Sequence, residues 1–188
     1  MIKKLALNLD RQTVFGFSEI AQITGKLPDQ NLVSAVSYYV KKGDLVRVAK
    51  GFYVLNKNYS RWELGNKLRI PSYVSLYTVL KEEGIVFQPY TSIFLVSARS
   101  QTLKVEGQVF IYRKIKNEIL LSNLGITVQN NAFSAEPERA LLDKIYLDGD
   151  EYFDNLSKID WDKVRFLNKE MYKSSKIEKY IKTMRNYA

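Results

Sequence analysis

The run QNLVSAVSYYVKK, which follows Asp29, sorts its side chains by helical spacing. At about 100° per residue, Gln30, Ser34, Ser37, Tyr38 and Lys41 share one side, flanked by Asn31 and Lys42. Leu32, Val36, Tyr39 and Val40 share the other side, with Val33 at its margin. The polar side carries no acid after Asp29, is rich in short hydrogen-bonding groups and ends in two lysines. Amides and hydroxyls presented this way can meet base edges in a duplex groove, and the lysines can meet phosphates. Arg47 and Lys50 follow at a β-turn, where they would lie along a duplex backbone. The DNA-contacting candidates are therefore Gln30, Asn31, Ser34, Ser37, Tyr38, Lys41, Lys42, Arg47 and Lys50. The plainer alternative is a solvated helix that happens to lack acids.

Other chemistry is narrowed by what the 188 residues omit: there is no histidine and no cysteine. That removes zinc sites of the usual kind and nucleophiles that need a histidine base. Glu106, Glu118, Glu136, Glu138 and Asp143 remain as carboxylates for a magnesium-dependent nuclease, with Lys104 and Lys144 nearby in sequence. Such pairings arise by chance in a chain that is 26% charged, so surface ion pairs are the expectation. The nine glycines are scattered singly and form no phosphate loop. No catalytic residue, metal or cofactor is expected.

The net charge of +9 is unevenly placed. Residues 1–60 hold nine basic and four acidic side chains, and so do residues 157–188, whereas the stretch between them is nearly balanced. Basic ends around a neutral middle suit a polyanionic partner. The longest dense apolar piece is Ile93 to Val96, far short of a membrane span, and the N-terminus has no apolar region of the secretion type. A cytoplasmic protein without membrane contact is expected, in keeping with the lack of cysteine.

The elements that must position the candidate residues can be read in order. Residues 2–9 predict a helix, and Val14–Phe17 a short extended piece. Ser18 is the expected cap of a second helix, ended by Gly25, and Asp29 caps the third, ended by Gly43. Leu45–Val48 and Phe52–Leu55 read as a hairpin through Ala49-Lys50-Gly51. This is the layout of a winged helix-turn-helix. Tyr59–Leu68 reads as a connector, and Ser72 as the cap of a helix through Leu80. Strands are expected at Ser92–Ser97, Gln108–Arg113 and Gly125–Val128, with Phe94, Val96, Val109, Ile111 and Val128 in the core. Ser134–Glu138 starts a helix that turns Leu141, Leu142 and Ile145 inward. Trp161–Met184 predicts one or two helices with Val164, Leu167, Met171, Ile177, Tyr180, Ile181 and Met184 on an apolar face. Lys169, Lys173, Lys176, Lys179, Lys182 and Arg185 make that segment basic. The expected fold class is α+β: a winged helix-turn-helix at 1–57, then a domain at 58–188 with a small mixed α/β unit and a basic C-terminal helical segment.

The order of YYVKKGDLVRVAKGFYVLN, RIPSYVSLYTVLKEEGI, TSIFLVSAR and EPERALLDKIYL resembles the AbiEi family of antitoxins and viral-defence transcriptional regulators, over about residues 1–150. The resemblance implies a winged helix-turn-helix that represses from an operator near its own promoter. It implies that Gln30–Lys42 and Arg47–Lys50 contact double-stranded DNA, and that segments around Ser72–Gly84 and Pro137–Leu147 belong to an antitoxin domain. It further implies a type IV system, in which a nucleotidyltransferase toxin is opposed without a stable complex. The rival expectations are the magnesium-dependent nuclease and a winged helix that serves as a protein-interaction module.

Overall fold

The computed structural model describes residues 1–184; Arg185, assigned above to the basic segment, lies outside them. The N-terminal part contains α1 (Ile2–Ala6), β1 (Phe15–Gly16), α2 (Phe17–Thr24), α3 (Gln30–Lys42), β2 (Val46–Ala49) and β3 (Phe52–Val54). β3 lies between β1 and β2 in a three-stranded antiparallel sheet. Leu5, Phe15, Ile20, Ala21, Leu32, Val36 and Leu45 are buried together between the helices and this sheet.

The local chemistry of α2 differs from the expected cap. Gly16, not Ser18, is the N-cap, and the Glu19 carboxylate reaches back to accept from the Gly16 N–H at 2.6 Å. The carboxylate at the third helical position thus satisfies the N–H of a capping residue that has no side chain of its own. At the other end Gly25 takes φ 69°, and Lys26 N–H donates to Ala21 carbonyl at 3.0 Å, closing the helix before Pro28.

The larger part is built on a six-stranded sheet in the order β6-β7-β5-β4-β9-β8. Its strands are β4 (Ser72–Val74), β5 (Ile93–Ser97), β6 (Gln101–Val105), β7 (Gln108–Lys114), β8 (Ile126–Gln129) and β9 (Ala132–Ala135). The accompanying helices are α4 (Arg61–Leu68), α5 (Tyr77–Glu82), α6 (Asn117–Leu120), α7 (Pro137–Asp148), α8 (Trp161–Leu167) and α9 (Ser175–Met184). A π-helical turn at Asn168–Tyr172 joins the last two.

Several expectations are corrected here. The supposed connector is α4, capped by Ser60, whose Oγ accepts from the Glu63 N–H at 3.1 Å. The helix expected from Ser72 is a central strand followed by a shorter helix, with the turn made at Leu76, φ 55°. Short strands β6 and β9 are additional. Ser134 and Ala135 belong to β9, and the helix begins with Pro137 as its first residue, after Glu136. In β7 the fully buried side chains are Phe110 and Tyr112, and Val109 and Ile111 are half-buried, as is Phe94 in β5.

The parity follows from α4. Strand alternation and register place Val74, Leu95, Phe110 and Tyr112 on one face of the sheet and Tyr73 and Val96 on the other. α4 covers the first face so closely that a Cβ on Gly65 would come 3.1 Å from both Leu95 and Phe110. The Tyr112 hydroxyl donates to the Gly65 carbonyl at 2.8 Å. α7 covers the second face, with Leu141, Leu142 and Ile145 buried as expected. Val128 sits in an edge strand and is mostly exposed, against expectation. The apolar residues chosen for α8 and α9 are buried, apart from Met171 and Met184, which are partly so.

The two parts share contacts at α4. Val14, Val48 and Val54 pack into the core of the larger part. Glu63 accepts from Thr13 N–H and Thr13 Oγ1, both at 2.7 Å, and from Val14 N–H at 3.2 Å. Lys67 donates to Glu19 at 2.8 Å, to Gln12 at 3.2 Å and to the Val14 carbonyl, and pairs with Glu63 at 3.1 Å.

Candidate nucleic-acid interface

α3 is fixed at both ends by its sequence. The Asp29 carboxylate accepts from Leu32 N–H at 3.0 Å, and Gly43 ends the helix at φ 84°. The Leu32 N–H bond holds the Asp29 carboxyl below its ordinary range. Leu32 and Val36 anchor the inner face, supported by partly buried Tyr39 and Val40. The opposite face is left to solvent: Gln30, Asn31, Ser34, Ser37, Tyr38, Lys41 and Lys42 are all exposed.

The hairpin stands beside this helix. Gly51, at φ 81°, makes the turn, and Phe17 N–H at the start of α2 donates to its carbonyl at 2.9 Å. That bond couples the hairpin to the helix pair. A bulge between Arg47 and Ala49 offsets the strands by one residue. Arg47 and Lys50 are exposed on it.

The candidate side chains differ in how committed they are. Asn31 Nδ2 donates to Asp29 Oδ2 at 3.3 Å, a long bond that leaves the amide oxygen open. Lys42 pairs with Asp44 at 2.9 Å, and that hydrogen bond raises its pKa. Among the described residues, no carboxylate lies within ion-pair distance of Lys41, Arg47 or Lys50. These three cations are the uncompensated charge of the surface. On one helix end and one hairpin, they can donate to phosphate oxygens, while the exposed hydroxyl and amide groups of α3 can read base edges.

One residue of this face escaped the sequence reading. Val33, placed at the margin of the apolar stripe, is 41% exposed. Its angular position, between Val40 and Ser37, is the available signal, because an apolar group there can contact a thymine methyl.

The carboxylates considered for metal chemistry are dispersed and engaged. Glu106 accepts from the Tyr59 hydroxyl at 3.0 Å and pairs with Arg61 at 3.4 Å. Glu136 and Glu138 both pair with Lys163 at 3.0 Å. Glu118 is exposed. Asp143 has no exposed surface and accepts from Ser75 Oγ at 2.8 Å, Tyr172 hydroxyl at 2.7 Å and Tyr73 hydroxyl at 3.1 Å. Lys144, its neighbour in sequence, turns to Asp148 at 2.8 Å. Among the described residues, no three acidic side chains gather as a metal site. No helix among them is long and apolar enough to cross a membrane. Lys169, Lys173, Lys176, Lys179 and Lys182 are exposed along the C-terminal helices.

No curated protein matches the chain. A family model does match it, described as transcriptional regulator, AbiEi antitoxin, over residues 4–56. That span contains all of α3 and the whole hairpin, and with them each of the nine candidate residues. Over that span the N-terminal part is similar to the AbiEi antitoxin family of transcriptional regulators.

Proposed function

We propose that the protein is a DNA-binding antitoxin and transcriptional autorepressor of a type IV toxin–antitoxin operon. In this reading residues 1–57 are a winged helix-turn-helix. α3 enters the major groove and the hairpin lies along the backbone as the wing. Residues 58–188 form the antitoxin-type domain, which opposes a nucleotidyltransferase toxin without a stable complex. No cofactor takes part, and the protein works in the cytoplasm. The observation that carries the reading is the exposed, acid-free face of α3 beside an exposed Arg47 and Lys50. The family match to residues 4–56 supports it.

A mobility-shift titration on the DNA upstream of the protein's own reading frame tests this. The wild-type chain retards that fragment in preference to scrambled DNA. The Lys41→Ala/Arg47→Ala double variant binds every duplex more weakly. Its plot of log affinity against log salt is shallower by about 0.9 for each phosphate no longer neutralised. Equal retardation by the double variant and wild type would sink the assignment.

Removing a groove-facing group has a different signature. Ser34→Ala or Asn31→Ala leaves the salt slope in place and relaxes preference at one base pair by about 1–3 kcal/mol for each base edge no longer met. Competition between single-base operator variants reads this out. A uniform weakening across all sequences would assign those side chains to the backbone instead.

A further inference from the structure

Lys67, in the last turn of α4, is the most heavily engaged cation near the candidate interface. Its ammonium donates to both Glu19 oxygens, at 2.8 and 2.9 Å, to the Gln12 amide oxygen at 3.2 Å and to the Val14 carbonyl, and it pairs with Glu63 at 3.1 Å. Only 17% of the side chain is exposed. Two carboxylates on one ammonium leave no charge over for a phosphate. None of the nine DNA-contacting candidates is among its partners. It also lies outside the span that the family model matches.

What Lys67 holds is the joint at Gly16–Phe17, where β1 passes into α2. Gly16 pairs with Phe52 in the hairpin strand β3, and Phe17 N–H donates to the Gly51 carbonyl of the hairpin turn at 2.9 Å. Gly16 N–H donates to the same Glu19 carboxylate that Lys67 grips, at 2.6 Å. From this joint α2 carries Ile20 and Ala21 into the core that seats Leu32 and Val36 of α3. One carboxylate, clamped by one lysine, therefore stands between the groove-facing helix and the hairpin turn. A duplex met by both elements needs them at a fixed separation, and a joint set before binding removes the cost of ordering it on the DNA. We propose, on the strength of the DNA reading above, that Lys67 is a positioning residue for DNA recognition. Through Glu19 it fixes the spacing of α3 and the hairpin, and so sets operator affinity without touching DNA.

Charge and positioning act with opposite signs at Glu19, and fluorescence anisotropy of the full chain on labelled upstream DNA separates them. Glu19→Gln keeps an acceptor for the Gly16 N–H, so the fold survives. It also makes the chain one unit more positive, so charge alone would tighten binding to any duplex. Loss of the clamp is instead expected to weaken operator binding about tenfold, and binding to scrambled DNA by about twofold or less. Lys67→Met breaks the clamp from the other side, and the same loss is expected. A double-mutant cycle gives a second readout. On an Arg47→Ala background each variant should cost about threefold or less, because the hairpin contact that the clamp aligns is already gone. Operator affinity equal to wild type in both variants overturns the proposal. So does tighter binding by Glu19→Gln, or a loss that simply adds to that of Arg47→Ala. If the wild type shows no preference for the operator over scrambled DNA, the DNA reading falls and the role of Lys67 with it. A wild type that keeps its preference beside unaffected variants leaves the DNA reading standing and removes only the role of Lys67.

Discussion

Replacing Asp143 with alanine is expected to lower the unfolding free energy by about 3 kcal/mol, seen as a fall in the urea midpoint. The carboxylate is wholly buried in α7 and accepts from three hydroxyls, those of Ser75, Tyr73 and Tyr172. Alanine would strand all three and leave a void. Arg139, four residues earlier, is not bonded to the carboxylate. It donates to the Ser122 and Ile119 carbonyls at 2.7 Å and to the Leu124 carbonyl, and its guanidinium lies 4.5 Å from the centre of the Tyr73 ring. The Asp143 carboxyl is pushed up by burial, against the opposing pull of Arg139 and the hydroxyl donors. A raised folded-state pKa means that the native protein holds this proton more tightly than the unfolded chain does. The penalty for ionisation therefore appears as pH rises through the folded value, and is relieved on acidification. Asp143→Asn, which cannot ionise, should cost less than alanine. Its deficit against wild type should narrow as pH rises through that value, and a deficit that widened would contradict the assignment.

The second large effect is expected at Glu63. Glu63→Ala removes the acceptor for two backbone N–H groups and one hydroxyl, and deprives Lys67 of a partner. The carboxylate is almost fully buried, so the cost should again approach about 3 kcal/mol. Hydrogen exchange locates the damage: the Thr13 and Val14 amides should exchange about a hundredfold faster, since about 1.4 kcal/mol is a factor of ten. Glu63→Gln keeps an oxygen for Thr13 and should cost less than half as much. Unchanged exchange at Thr13 and Val14 in the alanine variant would show that the bonds across this junction carry no stability.

The N-terminal part was legible because its signals are local. A capping aspartate, two glycines at helix ends and a 3.6-residue apolar stripe place α3 without reference to the rest of the chain. The exposure of the seven candidate side chains on α3 follows from the same periodicity. The larger part was read less well because its structure is set by distant partners. Ser72–Val74 carries apolar residues at spacings that also suit a helix. Only pairing with β5 on one side and β9 on the other makes it a strand. Val109 and Ile111 are as apolar as Phe110, and which of them goes inward depends on α4 pressing Gly65 onto the sheet. Asp143 and Lys144 adjoin in sequence, yet they face different surroundings. One sits in a closed hydroxyl cage, the other between the carboxylates of Asp148 and Glu151 and over the Tyr77 ring.

The family match stops at residue 56, but the fold makes no clean break there. Three valines from that span are seated in the neighbouring core, and two of its amides depend on a side chain seven residues past its end. A chimera that transplanted residues 4–56 alone would carry a greasy underside and two unsatisfied donors into its new host. Extending the graft through Leu68 brings the missing carboxylate along, and α4 becomes the minimal companion for any exchange of this reading head between proteins.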